Sequence, residues 1–250
     1  MNLVIDTDIG TDVDDAFALV YALRLGKVKA ITVSQGNPTI RAKIAKKLEK
    51  MLNVDVPIIS GLPGTIEATT KYWTGIEEKA LTPKEKEEEF ISKDFPYYDK
   101  ESRLVCIAPM SNIAHQLSTF AGIRKVNGIY IMGSHEGSQN FKADLDAANK
   151  VMGEEWKNRY IITKETSQKV AFSRDELIAF KGSELGDFLY DSAIRWLDFA
   201  KKNESIMYDV LAVSAAMGED YVKFEKKGNN YISVDVDKIL KKRIIEAVNG

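Results

Sequence analysis

Five aspartates crowd the first fifteen residues: Asp6, Asp8, Asp12, Asp14 and Asp15 surround a single Gly10. The apolar run Leu3-Val4-Ile5 leads directly in, and an apolar helical pattern leads directly out. This order of strand, acidic turn and helix restricts the fold more than any other feature. The strand must stop and the helix must start within a few residues, so the carboxylates sit at the strand's carboxyl end. Like charges about 4 Å apart repel by about 1 kcal/mol in water, and several times that beside a low-dielectric wall. A hard cation with oxygen ligands, Ca²⁺ or Mg²⁺, relieves such a set. The plainer reading is a solvated acidic turn ahead of a helix.

The pattern that begins here continues. Asp14 to Leu25 reads as a helix, with Ala16, Leu19, Val20 and Leu23 at helical spacing and Gly26 as its C-cap. Lys29 to Val33 reads as a strand, followed by the turn Gln35-Gly36-Asn37-Pro38, a basic amphipathic helix over Ile40 to Leu52, and a strand over Val56 to Ser60. Residues 65 to 100 break the rhythm. Lys84 to Glu89 is nearly all charge and reads as a solvated helix and loop, in a stretch long enough to cover a site as a lid. Order resumes with strands over Leu104 to Ala108, Gly128 to Met132 and Tyr160 to Ile162, and helices over Ser111 to Ser118 and Ala143 to Trp156. Arg174 to Lys202 reads as helical, Tyr208 to Met217 as a short apolar helix, Tyr231 to Val236 as an exposed or edge strand, and Lys238 to Val248 as a closing helix. Short apolar strands alternating with longer helices specify an α/β fold with a mostly parallel central sheet and helices on both faces. No repeat, low-complexity tract or linker divides residues 1–250, so one domain is expected.

Charge excludes some functions. With 35 Lys and Arg against 37 Asp and Glu, there is no basic excess to bind nucleic acid or an anionic membrane surface. Cys106 is the only cysteine, which excludes an intrachain disulfide and a cysteine-built zinc site. It is read as buried and inert, and both facts suit a reducing cytoplasm. No signal-peptide pattern opens the chain, and no apolar run is long enough to span a bilayer.

In open α/β sheets, ligands bind beyond the carboxyl ends of the strands. Asp6 and Asp8, Asn37, Ile107-Ala108-Pro109, Met132 with Asn140, and Asp209 at a helix start all fall there. Asp14 and Asp15 occupy a first helical turn, where the macrodipole favours negative charge. Consecutive helical residues point about 100° apart, so one carboxylate can meet a metal and the other something beside it.

These residues resemble the motifs of the nucleoside hydrolases, the inosine-uridine preferring family. Asp6-Thr7-Asp8-Ile9-Gly10-Thr11-Asp12-Val13-Asp14-Asp15 is similar to the family's D-x-D-P-G-x-D-D opening, with Ile9 for proline and two extra residues before the Asp pair. Thr32 to Asn37 is similar to T-x-x-x-G-N, Ile107 to Ala114 to T-G-P-L-T-N-I-A, and Ile131-Met132-Gly133 to I-M-G. Asn140 to Ala148 resembles N-x-x-A-D-P-E-A-A, and Tyr208 to Val213 resembles H-D-P-L-A-V. The likeness implies a Rossmann-related fold and hydrolysis of the N-glycosidic bond of ribonucleosides. It implies one Ca²⁺ held by Asp8, Asp15, Asp209 and the backbone carbonyl of Ile107. Asp14, Asn37 and Asn140 would hold the ribose hydroxyls, and Met132 would line the sugar pocket. The cation would lower the pKa of a water, and Asp8 would take its proton as general base. A homodimer or homotetramer is implied by resemblance alone.

The departures are informative. Tyr208 stands where the family often has a leaving-group histidine; it is a weaker acid that still donates. A second family histidine has only Trp73-Thr74-Gly75 as its match. The Met132–Asn140 loop is short, with Ser138 in place of a glutamate. His135 in that loop is a substrate-contact candidate, and His115 reads as structural. Trp73, Tyr72 and Tyr208 are candidates to stack on a base, Asp6 to orient the acidic loop, and Asp12 to cap the helix. A phosphotransferase of the haloacid dehalogenase type also opens with strand-D-x-D, but here the glycine is displaced by one. An EF-hand fails for want of Gly at position six and Glu at position twelve. A metal-holding riboside binder that has lost catalysis is the rival of another class.

Overall fold

A computed structural model of the chain describes residues 2–64, 73–94, 98–134 and 137–250. The chain opens with β1 (Asn2–Thr7), α1 (Asp14–Leu25), β2 (Val28–Val33), α2 (Pro38–Leu52) and β3 (Ile58–Ser60). A 3-10 turn over Glu77–Ala80 and α3 (Pro83–Glu87) lead to β4 (Ser102–Cys106), α4 (Ser111–Thr119) and β5 (Gly128–Met132). Then come α5 (Gln139–Ala143), α6 (Leu145–Gly153), β6 (Arg159–Ile162), α7 (Lys164–Ser167), β7 (Ala171–Ser173) and α8 (Arg174–Leu177). The chain closes with α9 (Glu184–Ala200), β8 (Glu204–Ile206), α10 (Tyr208–Met217), β9 (Val222–Lys227), β10 (Asn230–Val236) and α11 (Ile239–Asn249).

Eight strands form one sheet in the order β3-β2-β1-β4-β5-β6-β10-β9, parallel except for the last pair. Alternate residues face opposite sides, as the period of two requires. Leu3, Ile5, Ile31, Val33, Val105, Tyr130 and Met132 face one core with α1, α2, α9, α10 and α11. Val4, Ala30, Leu104, Cys106, Ile129 and Ile131 face the other core with α4 and α6. Each large apolar side chain so buried contributes about 1.5–3 kcal/mol. Helices α1 and α10 pack on each other and are apolar nearly all round, which suits helices buried on every side. Strand order reverses at β1, with β2 to one side and β4 to the other. A crevice therefore opens at the carboxyl ends of β1 and β4.

Several elements differ from the sequence reading. Tyr231–Val236 is not an edge: β10 pairs with β6 on one side and β9 on the other. Its alternation reflects partial burial, and β9 is the true edge. The stretch 174–202 is broken at Gly182, whose φ of +120° no helix accepts, and Ser183 caps the new helix by accepting from the Gly186 N–H at 3.0 Å. The helix read from Ala143 breaks at Asp144, which caps α6 by accepting from Ala147 N–H at 3.1 Å. An antiparallel pair, β7 with β8, joins residues before the stretch read as helical to the polar loop after it. Gly26 caps α1 with extended backbone, φ −101°. The charged stretch behaves as read: α3 is exposed and closed by a Thr82–Glu85 capping box.

Candidate active site

The site grows from the end of β1. The loop from Asp8 to Val13 turns at Gly10, whose φ of +104° is a backbone conformation that suits glycine. A Cβ added there would also lie 2.8 Å from a ring carbon of Trp73. Beneath the loop, fully buried Asp6 accepts from Thr32 Oγ1 at 2.5 Å and Asn112 Nδ2 at 2.8 Å. These bonds fasten the end of β1 to β2 and α4. Burial lifts the Asp6 carboxyl to about 7, against the lowering effect of both bonds. Asp12 accepts from the Val13 N–H at 2.8 Å, but the capping position belongs to Val13, so Asp12 is not the N-cap.

Beyond the loop lies a cavity of about 430 Å³, lined by Asp8, Asp14, Asp15, Ile107, Met132, Asn140, Tyr208 and Asp209. These eight sequence candidates come from the ends of β1, β4 and β5 and the starts of α1, α5 and α10. Asn37 is not with them: it is exposed, and its side chain caps α2 by accepting from Ile40 N–H at 3.2 Å. Its place as N-cap, with Pro38 at the first helical position, explains why it stays outside. His135 and Tyr72 lie outside the described residues. Trp73 packs on the Arg41 guanidinium, 4.5 Å from its ring centroid, rather than lining the cavity. His115 is exposed on α4, and Cys106 is buried in β4.

Within the cavity, Asp14, Asp15 and Asp209 bring carboxylate oxygens within 4.8 Å of one another. The tight group thus includes Asp14, which the resemblance gives to the sugar. Asp8 lines the same cavity without joining that group. Burial pushes all three carboxyls well above the usual carboxylate range, and the neighbouring aspartates push the same way. Few donors offset this. Thr7 Oγ1 donates to Asp15, and the Asp209 N–H donates to Asp14 at 3.3 Å. Asp8 is raised by burial and pulled back by the Arg41 charge and a bond from Thr11. Buried carboxylates this short of donors suit a hard cation bound through oxygen.

Asn140 Nδ2 donates to the Ile107 carbonyl at 3.1 Å and approaches the Met132 carbonyl at 3.4 Å, bridging the ends of β4 and β5. The Ile107 carbonyl retains a second lone pair. Tyr208 opens α10 half-buried, and burial and then Asp14 push its hydroxyl up to about 12. The cavity also takes in Asp12, read from sequence as a helix cap, and Thr11, Lys164, Glu165 and Lys202, which the sequence reading did not assign. Arg41 was missed as well, although it occupies the buried stripe of α2 with Ala45, Leu48 and Leu52. A charged residue on an apolar stripe is the signal that marks it.

The sequence profile of the inosine-uridine preferring nucleoside hydrolases matches residues 3–243. The chain belongs to this family and is a nucleoside N-ribohydrolase. The fold is shared with a purine-preferring ribonucleoside hydrolase from Gardnerella vaginalis, at TM-score 0.80 and 18% identity, over 100% of this chain and 98% of that one. An inosine-guanosine nucleoside hydrolase superposes at TM-score 0.79 and 20% identity, over 99% and 98% of the two chains. The type III effector protein XopQ, solved with adenosine diphosphate ribose, does so at TM-score 0.74 and 18% identity, over 99% and 92%. No curated protein matches the chain in sequence. Among the described residues, no helix is long and apolar enough to cross a membrane.

Proposed function

We propose that this enzyme cleaves the N-glycosidic bond of ribonucleosides to ribose and free base with the help of one Ca²⁺. The observation that carries the reading is the buried group of Asp14, Asp15 and Asp209, within 4.8 Å of one another though drawn from opposite ends of the chain. Asp15, Asp209, Asp8 and the Ile107 carbonyl would hold the cation, with Asp14 at the boundary between cation and sugar. When bound, the cation supplies positive charge that makes water more acidic and anchors hydroxyl oxygens. Asp8 is the general base: it lines the cavity, and the neighbouring Arg41 charge favours its ionised form. As the bond to the base breaks, the ribose acquires oxocarbenium character, and the surrounding carboxylates stabilise that charge. Met132 supplies an apolar wall, and Asn140 is placed for a ribose hydroxyl. Tyr208 stays protonated across ordinary pH and donates to the departing base.

The test is release of reducing sugar from inosine and uridine. We expect turnover that chelator abolishes and added Ca²⁺ restores, with Asp8→Ala losing it. Tight riboside binding without sugar release would mark a binder instead of a catalyst. Turnover that survives exhaustive chelation would remove the cation from the proposal.

A further inference from the structure

The acidic loop is gripped from outside the cavity, and the grip has not been assigned a role. Arg41, 1% exposed, sends its guanidinium from α2 into the back of the loop. One terminal nitrogen donates to the carbonyls of Asp8 and of Ile9, the latter at 2.6 Å. The other donates to Thr11 Oγ1 at 2.8 Å, and Nε donates to the Gln35 carbonyl at 2.7 Å. Thr74 Oγ1 lies 2.9 Å from the Gly10 carbonyl and 2.6 Å from that of Thr11. Arg41 therefore holds the backbone oxygens of Asp8 and Ile9, and the single Thr74 hydroxyl proton serves that of Gly10 or Thr11. Trp73 lies over the guanidinium face at 4.5 Å, and Glu77, 1% exposed, lies near enough to feel the Arg41 charge, although burial lifts its carboxyl to about 8. A planar fork with fixed donors can meet four acceptors at once; an ammonium cannot. With the loop's oxygens engaged away from the cavity, the Asp8 carboxylate is left to line it.

We propose that Arg41, with Thr74, is a positioning residue that clamps the Asp8–Thr11 backbone and so presets the Asp8 carboxylate for cation and water. The inference rests on the function proposed above. Its competitor is that Arg41 acts only as a counter-charge to the buried acids. The two make opposite predictions. A counter-charge repels an incoming cation, so removing it strengthens Ca²⁺ binding; removing a clamp weakens binding.

The experiment compares wild type, Arg41→Lys and Arg41→Met in three measurements: amide hydrogen exchange over residues 8–13, calorimetric titration with CaCl₂, and ribose release from inosine at saturating Ca²⁺. The clamp predicts exchange about tenfold faster or more in both variants, with exchange in α9 unchanged. It predicts Ca²⁺ affinity lower by about tenfold in both, and kcat lower by about tenfold or more with KM within about threefold. Wild-type exchange and affinity in Arg41→Lys, or tighter Ca²⁺ binding in Arg41→Met, would overturn it. Should neither variant fold, Thr74→Val removes a single hydroxyl. The clamp then predicts exchange about threefold faster over residues 10–12 and weaker Ca²⁺ binding, and wild-type behaviour in both overturns it. If wild type itself takes up no Ca²⁺, the proposed function fails, and the exchange data alone decide the clamp.

Discussion

Replacing Asp209 by Asn should stabilise the metal-free protein and make it indifferent to Ca²⁺. Asp209 is 4% exposed and has Asp14 and Asp15 within 4.8 Å. At 4.8 Å and an effective dielectric of about 20, each ionised pair costs about 3.5 kcal/mol. Two fully ionised pairs at that outer limit thus cost about 7 kcal/mol, but burial and mutual repulsion favour protonation, which removes part of the repulsion. Against the gain stands the loss of a negative charge in the first turn of α10, worth about 0.3–1 kcal/mol. An Asn amide can also donate to the carboxylates it faces. The balance is a gain of about 2–4 kcal/mol at pH 8 in chelator, or about 5 °C or more in Tm. The gain should shrink at pH 6, where the group already holds protons. Adding CaCl₂ at about 100 times its Kd should raise wild type by about 2.7 kcal/mol and leave the variant nearly unmoved, closing most of the gap between them. Thermal melts with chelator and with Ca²⁺ decide the matter. A variant that melts below wild type in chelator at pH 8 would show that the three carboxylates do not repel, and the site argument would fall with it.

Asp6 should give the metal-free protein a pH dependence of its own. Its folded pKa of about 7 lies above the usual 3.8, so the folded state holds the proton more tightly. The resulting stability is complete below about pH 4 and is lost as pH rises through about 7, an effect of up to about 4 kcal/mol. Asp6→Asn, melted from pH 4 to 8 in chelator, should flatten that decline; an unchanged slope refutes the assignment. Tyr208→Phe should leave Ca²⁺ affinity unchanged in calorimetry. It should lower kcat/KM for inosine or uridine by about tenfold or more while sparing a nitrophenyl riboside, whose leaving group needs no proton. Equal rates for variant and wild type on both nucleosides would exclude Tyr208 as the acid.

The parallel part of the fold was legible because it is written in local pattern. Each buried strand from β1 to β6 is a short apolar run, and each is followed by helical spacing or a turn residue. What escaped notice depended on pairing. Val222–Lys227 alternates weakly, VKFEKK, and its identity as an edge strand follows from Gly228 at φ +59°, which turns it back against β10. The same pairing converts β10 from an apparent edge into an interior strand. The break before α9 was present in sequence as Gly182-Ser183, but apolar spacing on either side, in Ile178 and Leu185, reads through it as one helix.

The candidate site divides along a similar line. Carboxylates at a strand end or a helix start beside apolar runs stand out by type, so Asp8, Asp14, Asp15 and Asp209 are candidates on sequence alone, and the resemblance divides the roles among them. Which of two consecutive carboxylates meets a given ligand is a different kind of question. The spacing of Asp14 and Asp15 says that they diverge; only the approach of α10 decides that both fall within 4.8 Å of Asp209. Arg41 escaped for the opposite reason. It sits in a helix rich in lysine, where one more cation reads as solvated surface, and its acceptors are backbone oxygens apart from Thr11 Oγ1, so they leave little trace in side-chain pattern. The residues that perform chemistry are conspicuous by type. Those that hold them in place leave a fainter mark, a charge on an apolar stripe, and their partners appear only when the backbone they grip is folded.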